Sequence, residues 1–193
     1  MASDRRIEKL KTVLRQRQPD LTVVIENVHD PHNVSAMLRS CDAVGVMTVH
    51  LVYTDEEFPD IGKKSSASAK KWVERRTFTS VQDCYATLRK EGFTMYATKL
   101  GKGSLSLYDL DLTKPVAFVF GNEHRGVSDD ASALADANVQ IPMMGMIQSL
   151  NVSVACAVCL FEALRQRVAA GMYDVPRLSS RELSRYLKTW MVK

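Results

Sequence analysis

The 193-residue chain has no apolar run approaching the ~20 residues of a membrane span, so an embedded protein is not expected. It has four cysteines, Cys41, Cys84, Cys156 and Cys159, and only the last two stand at C-x-x-C spacing. That pair lies in the apolar run Ser153–Leu164, which reads as a buried helix. No second Cys/His pair stands at ligand spacing, so zinc and redox roles give way to core packing. His29, His32 and His50 likewise lack metal-like partners. No Rossmann G-x-G-x-x-G and no Walker G-x-x-x-x-G-K-[ST] occurs, which argues against a nicotinamide dehydrogenase. Repeats and low-complexity linkers are absent too. Residues 1–18 are charged, without the apolar centre of a secretory leader, so a cytoplasmic protein with reduced thiols is expected.

What is present is a core-forming composition with 46% hydrophobic residues, enough for one compact α/β domain with appended helices. The net charge of +4 conceals an uneven distribution. Residues 1–17 carry six basic side chains (Arg5, Arg6, Lys9, Lys11, Arg15, Arg17) against Asp4 and Glu8. Residues 165–193 carry seven (Arg165, Arg167, Arg177, Arg181, Arg185, Lys188, Lys193) against Asp174 and Glu182. With the ends at +4 and +5, residues 18–164 are left at −5. Basic ends on an acidic body suit a polyanion gripped by terminal extensions, or two solvated helix faces. Charge alone does not choose.

Periodicity predicts a basic helix over Ser3–Gln18, with Ile7, Leu10 and Leu14 on one stripe. Strands are expected at Leu21–Asn27, Val46–Tyr53, Phe93–Thr98, Pro115–Phe120 and Asn138–Ile141. Helices are expected at Val34–Val44, Val81–Glu91, Ser128–Asp136, Ser149–Gly171 and from Ser179 or Ser180 to Met191. Phe58–Ser68 and Gly101–Thr113 read as irregular. Strands alternating with helices imply a mostly parallel sheet covered on both faces.

Three segments place polar residues where a strand ends, the edge at which open α/β sheets bind ligands. The first runs from Glu26 to Asn33 and on to Arg39. Arg39 reads either as a surface ion pair with Asp42 or as a guanidinium aimed at a phosphate. The second, Phe120–Ser128, brackets polar residues between Gly121 and Gly126; alone it is a generic glycine turn. The third, Ile141–Ser153, sets three methionines around Gly145 and then starts a helix, either an ordinary capped helix or a soft wall for a flat ring.

Together these segments resemble the signature of the TrmH branch of the SPOUT methyltransferases: N-x-x-x-x-x-R, F-G-x-E-x-x-G-x-S and I-P-M-x-G-x-x-x-S-L-N-V-S. Here they stand as Asn33…Arg39, Phe120–Ser128 and Ile141–Ser153, in the same order. The flanks Arg17–Val23 and Tyr173–Leu178 resemble those of branch members acting on transfer RNA. The resemblance implies an α/β SPOUT fold whose C-terminal third is tied into a deep trefoil knot, which local rules would have rejected. It also implies a basic N-terminal helical extension (residues 1–18), a catalytic domain (19–171) and a basic C-terminal extension (172–193). The expected assembly is an obligate homodimer that completes each active site across its interface.

The implied reaction methylates a ribose 2′-hydroxyl of transfer RNA, guanosine 18 of the D-loop, from S-adenosylmethionine without a metal. Another tRNA position or ribosomal RNA, and a silent RNA-binding module, are the rival readings. By resemblance Arg39 is the central catalytic residue, surrounded by Asn33, Glu123, Ser149 and Asn151. A guanidinium, with a reference pKa above ~12, suits binding phosphate and stabilising alkoxide better than taking a proton. Glu123 would hold Arg39 or Asn33. The cofactor adenine would lie against Ile141, Met146 and Leu150, with backbone near Leu100, Gly121, Ile141 and Leu150 reading its edge. Arg6, Arg15, Arg165, Arg167 and Arg177 are the expected phosphate contacts, and Lys63, Lys64, Lys70 and Lys71 either add to that surface or form a solvated loop.

Overall fold

A computed structural model describes residues 3–54, 57–59 and 69–193. Its strands are Leu21–Glu26 (β1), Thr48–Val52 (β2), Glu74–Phe78 (β3), Thr94–Thr98 (β4), Leu105–Ser106 (β5), Val116–Phe120 (β6) and Ala137–Gln140 (β7). All pair in parallel, in the order β3-β2-β1-β6-β4-β7-β5. β1 and β6, the apolar runs, lie side by side and are buried along their whole length. Side chains alternate between faces: Leu21, Val23, Ile25, Phe118 and Phe120 enter one core, Val24, Ala117 and Val119 the other. Parallel strands need crossovers, and these supply the covering helices except α6, which follows the last strand.

Pro31–Ala43 (α2) and Val152–Ala169 (α6) cover the first face together with the short Ala69–Trp72 (α3). Val81–Lys90 (α4) and Asp129–Leu134 (α5) cover the second. α2 starts three residues before the predicted position: Pro31 pre-sets the helical φ, and the Asp30 side chain accepts from the His32 amide. α6 starts later than predicted because Asn151, not Ser149, is its N-cap. Cys156 and Cys159 are buried in the core as expected, and so are Cys41 and Cys84. Two strands escaped the sequence reading. β3 is Glu-Arg-Arg-Thr-Phe, mostly exposed at the sheet edge, where charge rather than apolar alternation discourages pairing with another sheet. β5 has only two residues, inside the segment read as loop.

Asp4–Arg15 (α1) and Ser180–Met191 (α7) pack against each other over Leu10, Leu14, Met47 and Trp190. Arg17 closes this layer. It is fully buried, pairs with Asp42 at 2.5 Å, donates to the Val46 carbonyl at 2.8 Å and lies 5.0 Å from the Trp190 ring centroid. Asp42 therefore meets Arg17 and not Arg39. Ser35, one turn before Arg39, is buried.

Arg167 requires a correction. Counted above as a phosphate contact, it is fully buried with all five N–H donors used. Nε donates to the Leu112 carbonyl (3.0 Å), Nη1 to Gln18 Oε1 (3.1 Å) and Asp20 Oδ1 (2.6 Å), and Nη2 to the Asp20 (3.1 Å) and Lys114 (2.9 Å) carbonyls. Its guanidinium staples α6 to the chain leading into β1 and has nothing left for RNA. None of the described helices is long and apolar enough to cross a membrane.

Candidate active site at the carboxyl ends of the central strands

In a parallel sheet every strand ends on the same edge, and β1 is where the strand order reverses direction. A cavity of about 630 Å³ opens at that edge, between the segments that follow β4, β6 and β7. This is the crevice in which open α/β folds bind ligands. Its size falls within the range of small-molecule pockets.

The segment after β6 turns back at once. Asn122 and Gly126 form an antiparallel bridge, with the Gly126 amide donating to the Asn122 carbonyl at 2.8 Å. A Cβ on Gly121 would stand 2.1 Å from the Gly126 oxygen, so this position excludes any side chain. The turn carries Glu123 across to the amino end of α2. There its carboxylate accepts from the amides of His29 and Asp30, both at 3.1 Å, and from Asn33 Nδ2 at 2.9 Å. Burial pushes the Glu123 carboxyl up, but these bonds and one from its own amide outweigh it and hold the group below the usual carboxylate range. Asn33, itself buried, accepts on Oδ1 from Asn151 Nδ2 at 3.1 Å. Asn151 Oδ1 meanwhile caps α6 through the Ser153 amide at 2.9 Å. Residues 33, 123 and 151, far apart in sequence, are thus one hydrogen-bonded chain beside the cavity.

Leu100, Gly121, Ile141, Leu150 and Ser149 line the cavity with Glu123 and Asn151. Met146 does not: it is fully exposed, as Met144 nearly is. Arg39 lies exposed on α2, outside the cavity lining and with no ion pair among the described residues. Thr98, Lys99, Asn122 and Gln148 also line the cavity and went unassigned in the sequence. Their shared signal is position, at or just past the end of a strand or ahead of α6. Lys99 is tied to Asp129 at 2.5 Å, which holds the Asp129 carboxyl low.

The basic residues divide. Arg6 and Arg15 project from α1 without side-chain partners among the described residues. Arg165 is exposed but forked onto Glu162 at 2.8 and 2.9 Å, and Arg177 pairs with Asp20. Lys71 is exposed; Lys63, Lys64 and the Lys70 side chain lie outside the described residues.

Residues 20–161 match the SpoU rRNA Methylase family. The chain is 49% identical over 191 residues to the tRNA (guanosine(18)-2'-O)-methyltransferase of Thermus thermophilus, covering 99% of this chain and 98% of that one. The crystal structure of the Aquifex aeolicus TrmH/SpoU tRNA modifying enzyme superposes with a TM-score of 0.92 at 40% identity, over 98% of this chain and 96% of that one. The SpoU methyltransferase AviRb of Streptomyces viridochromogenes, solved with the cofactor AdoMet, matches at TM-score 0.69 and 27% identity, over 81% of this chain and 61% of that one. A parallel sheet with its cavity at the strand ends, the three signature segments meeting there, and a match through most of the chain lead to one conclusion: this chain belongs to the SpoU rRNA methylase family.

Proposed function

We propose that the chain transfers a methyl group from S-adenosylmethionine to a ribose 2′-oxygen of transfer RNA, at guanosine 18 of the D-loop. The observation that carries this reading is the union of Asn33, Glu123 and Asn151 beside the cavity, in a chain nearly half identical to a methyltransferase of that specificity. The cavity residues fit the cofactor. Leu100, Ile141 and Leu150 offer apolar surface to a purine, and bare backbone at Gly121 permits close approach. Bound there, the cofactor supplies a methyl group already activated on a sulfonium.

The chain's own residues do the positioning. Glu123, ionised, fixes the Asn33 amide, which in turn is fixed by Asn151, so both amides face the ribose pre-oriented. Arg39 grips a substrate phosphate and stabilises negative charge developing on the 2′-oxygen. Ser149 supports this arrangement from the cavity wall.

The reading includes a homodimer with each active site completed across the interface. Arg39 and Met146, both outside their own chain's cavity, then have a place to act. Val154, Phe161 and Val168, seven residues apart on α6 and 47%, 50% and 56% exposed, form an apolar stripe suited to burial against a second copy. Sedimentation at micromolar concentration reads the assembly, and a monomer would remove it. The same reading brings the C-terminal trefoil knot, the division into residues 1–18, 19–171 and 172–193, and a cytoplasmic location. On it, Arg6 and Arg15 of α1, with Arg165 near the end of α6 and Arg177 just before α7, grip tRNA phosphates.

The deciding experiment transfers label from S-adenosylmethionine to two tRNA transcripts, one with guanosine 18 and one substituted there, followed by nucleoside mapping. Label in 2′-O-methylguanosine that disappears on substitution supports both reaction and target. Label that survives substitution moves the target, and label on neither tRNA nor ribosomal RNA removes the activity.

A further inference from the structure

The geometry points to Asn122, backed by Asn27, as a positioning residue for the methyl-transfer centre, an inference that rests on the methyltransferase reading. Asn122 lies two residues past the end of β6, between Gly121, which no side chain can replace, and Glu123. It is buried, 8% exposed, and its one amide is used in two directions. Oδ1 accepts from the amides of His124 at 2.9 Å and Arg125 at 3.3 Å, folding the loop that carries Glu123. Nδ2 donates to the Asn27 carbonyl at 2.8 Å, tying that loop to the end of β1.

Asn27 is itself unusual. Among the described residues it is the one non-glycine in the left-handed region, at φ +48°. Its side chain is gripped from both ends by Thr54, just beyond β2: Nδ2 donates to Thr54 Oγ1 at 3.0 Å and Oδ1 accepts from the Thr54 amide at 2.9 Å. This turn directs the chain to His29 and Asp30, whose amides meet Glu123. Asn122 therefore sets both sides of the same contact, the loop that brings the carboxylate and the strand end that brings its donors.

None of the hydrogen bonds found for the Asn122 side chain reaches Asn33 or Asn151, so its effect on the reacting groups passes through Glu123. An aspartate would keep the acceptor for His124 and Arg125 but lose the donor and set a carboxylate against the Asn27 oxygen. A serine cannot span both partners.

The test is a double-mutant cycle on kcat and tRNA KM at saturating S-adenosylmethionine, well below each variant's melting temperature. Asn122→Ala is expected to lower kcat at least about tenfold with the tRNA KM nearly unchanged. Asn122→Asp should act in the same direction. In a Glu123→Ala background, adding Asn122→Ala should cost less than about twofold more. Wild-type turnover by Asn122→Ala, or equal fold losses in both backgrounds, would overturn the proposal. If Asn122→Ala does not fold, Asn27→Gly carries the test. It keeps the left-handed backbone and removes the Thr54 grip, and an unchanged kcat would count against the proposal. A wild-type protein that methylates no RNA would sink the activity reading alone. Positioning is then judged from the Glu123 titration by carbon-13 NMR. Asn122→Ala should raise the Glu123 pKa as donors are lost, and an unmoved titration overturns the inference.

Discussion

Asn151 donates from Nδ2 to Asn33 Oδ1 across 3.1 Å, joining the start of α6 to the start of α2. The same Asn151 caps α6, and the same Asn33 donates to Glu123. Helix capping and site assembly are thus one structural event. Asn33→Ala should leave Glu123 short of one donor and Asn151 short of one acceptor. Loss of a hydrogen bond to a charged group corresponds to about 1.5–3 kcal/mol, roughly a 10- to 150-fold fall in kcat. Cofactor affinity, read by calorimetric titration, should change little.

Arg39 makes no ion pair among the described residues, so removing it breaks none of them. Arg39→Ala should abolish turnover while thermal stability and S-adenosylhomocysteine binding stay near wild type. Near-normal turnover would end its catalytic assignment.

Gly121→Ala places a methyl 2.1 Å from the Gly126 oxygen, a contact no rotamer relieves. The loop must open, and cofactor binding should be lost. Retained binding in a titration would mean that the turn relaxes without cost.

Arg167 and the α1 arginines separate stability from RNA affinity. Arg167→Ala removes a fully buried guanidinium and its five hydrogen bonds, two buried and three part-buried, and should lower stability by about 3–5 kcal/mol, seen as a large fall in Tm. Arg6→Ala with Arg15→Ala should leave Tm unchanged, weaken tRNA binding and reduce its salt dependence. The reverse pattern would overturn the division.

His50 makes stability pH-dependent. Thr22 Oγ1 donates to the Thr48 carbonyl at 2.7 Å, so its contact with His50 Nδ1 at 3.0 Å must be accepted from an Nδ1–H. Nε2 is then a buried lone pair without a partner among the described residues. Burial lowers the His50 pKa to about 4, Arg76 adds to the effect and Glu91 opposes it. The folded value lies below the unfolded reference of 6.5, so this contribution is intact above that pH. It is lost as pH falls towards 4, where the unfolded chain takes a proton that the folded one refuses, a loss of up to about 3 kcal/mol. Melting at pH 7.5 and 5.0 should show the fall, and His50→Leu should flatten it. Equal slopes would exclude His50 as the cause.

The strands were legible where burial on both faces demanded apolar residues. β1 and β6 read as strands through their apolar runs, and two capped helices announced their starts through Ser128 and Ser179. β3 was not legible, because a charged edge strand is defined by its neighbour rather than by its own pattern.

By itself the sequence determined the element types other than β3 and β5, the three signature segments and, through them, the family, because local periodicity and motif chemistry are written in consecutive residues. Tertiary structure alone decided which charges are spent. Arg167 and Arg17 look as free as Arg6 and Arg15 until the fold buries them on Asp20 and Asp42. It also decided that Glu123 meets Asn33 and not Arg39, since that contact joins residues ninety positions apart. A charge reads the same in any sequence; whether it faces water or a carboxylate depends on what the chain brings back to it.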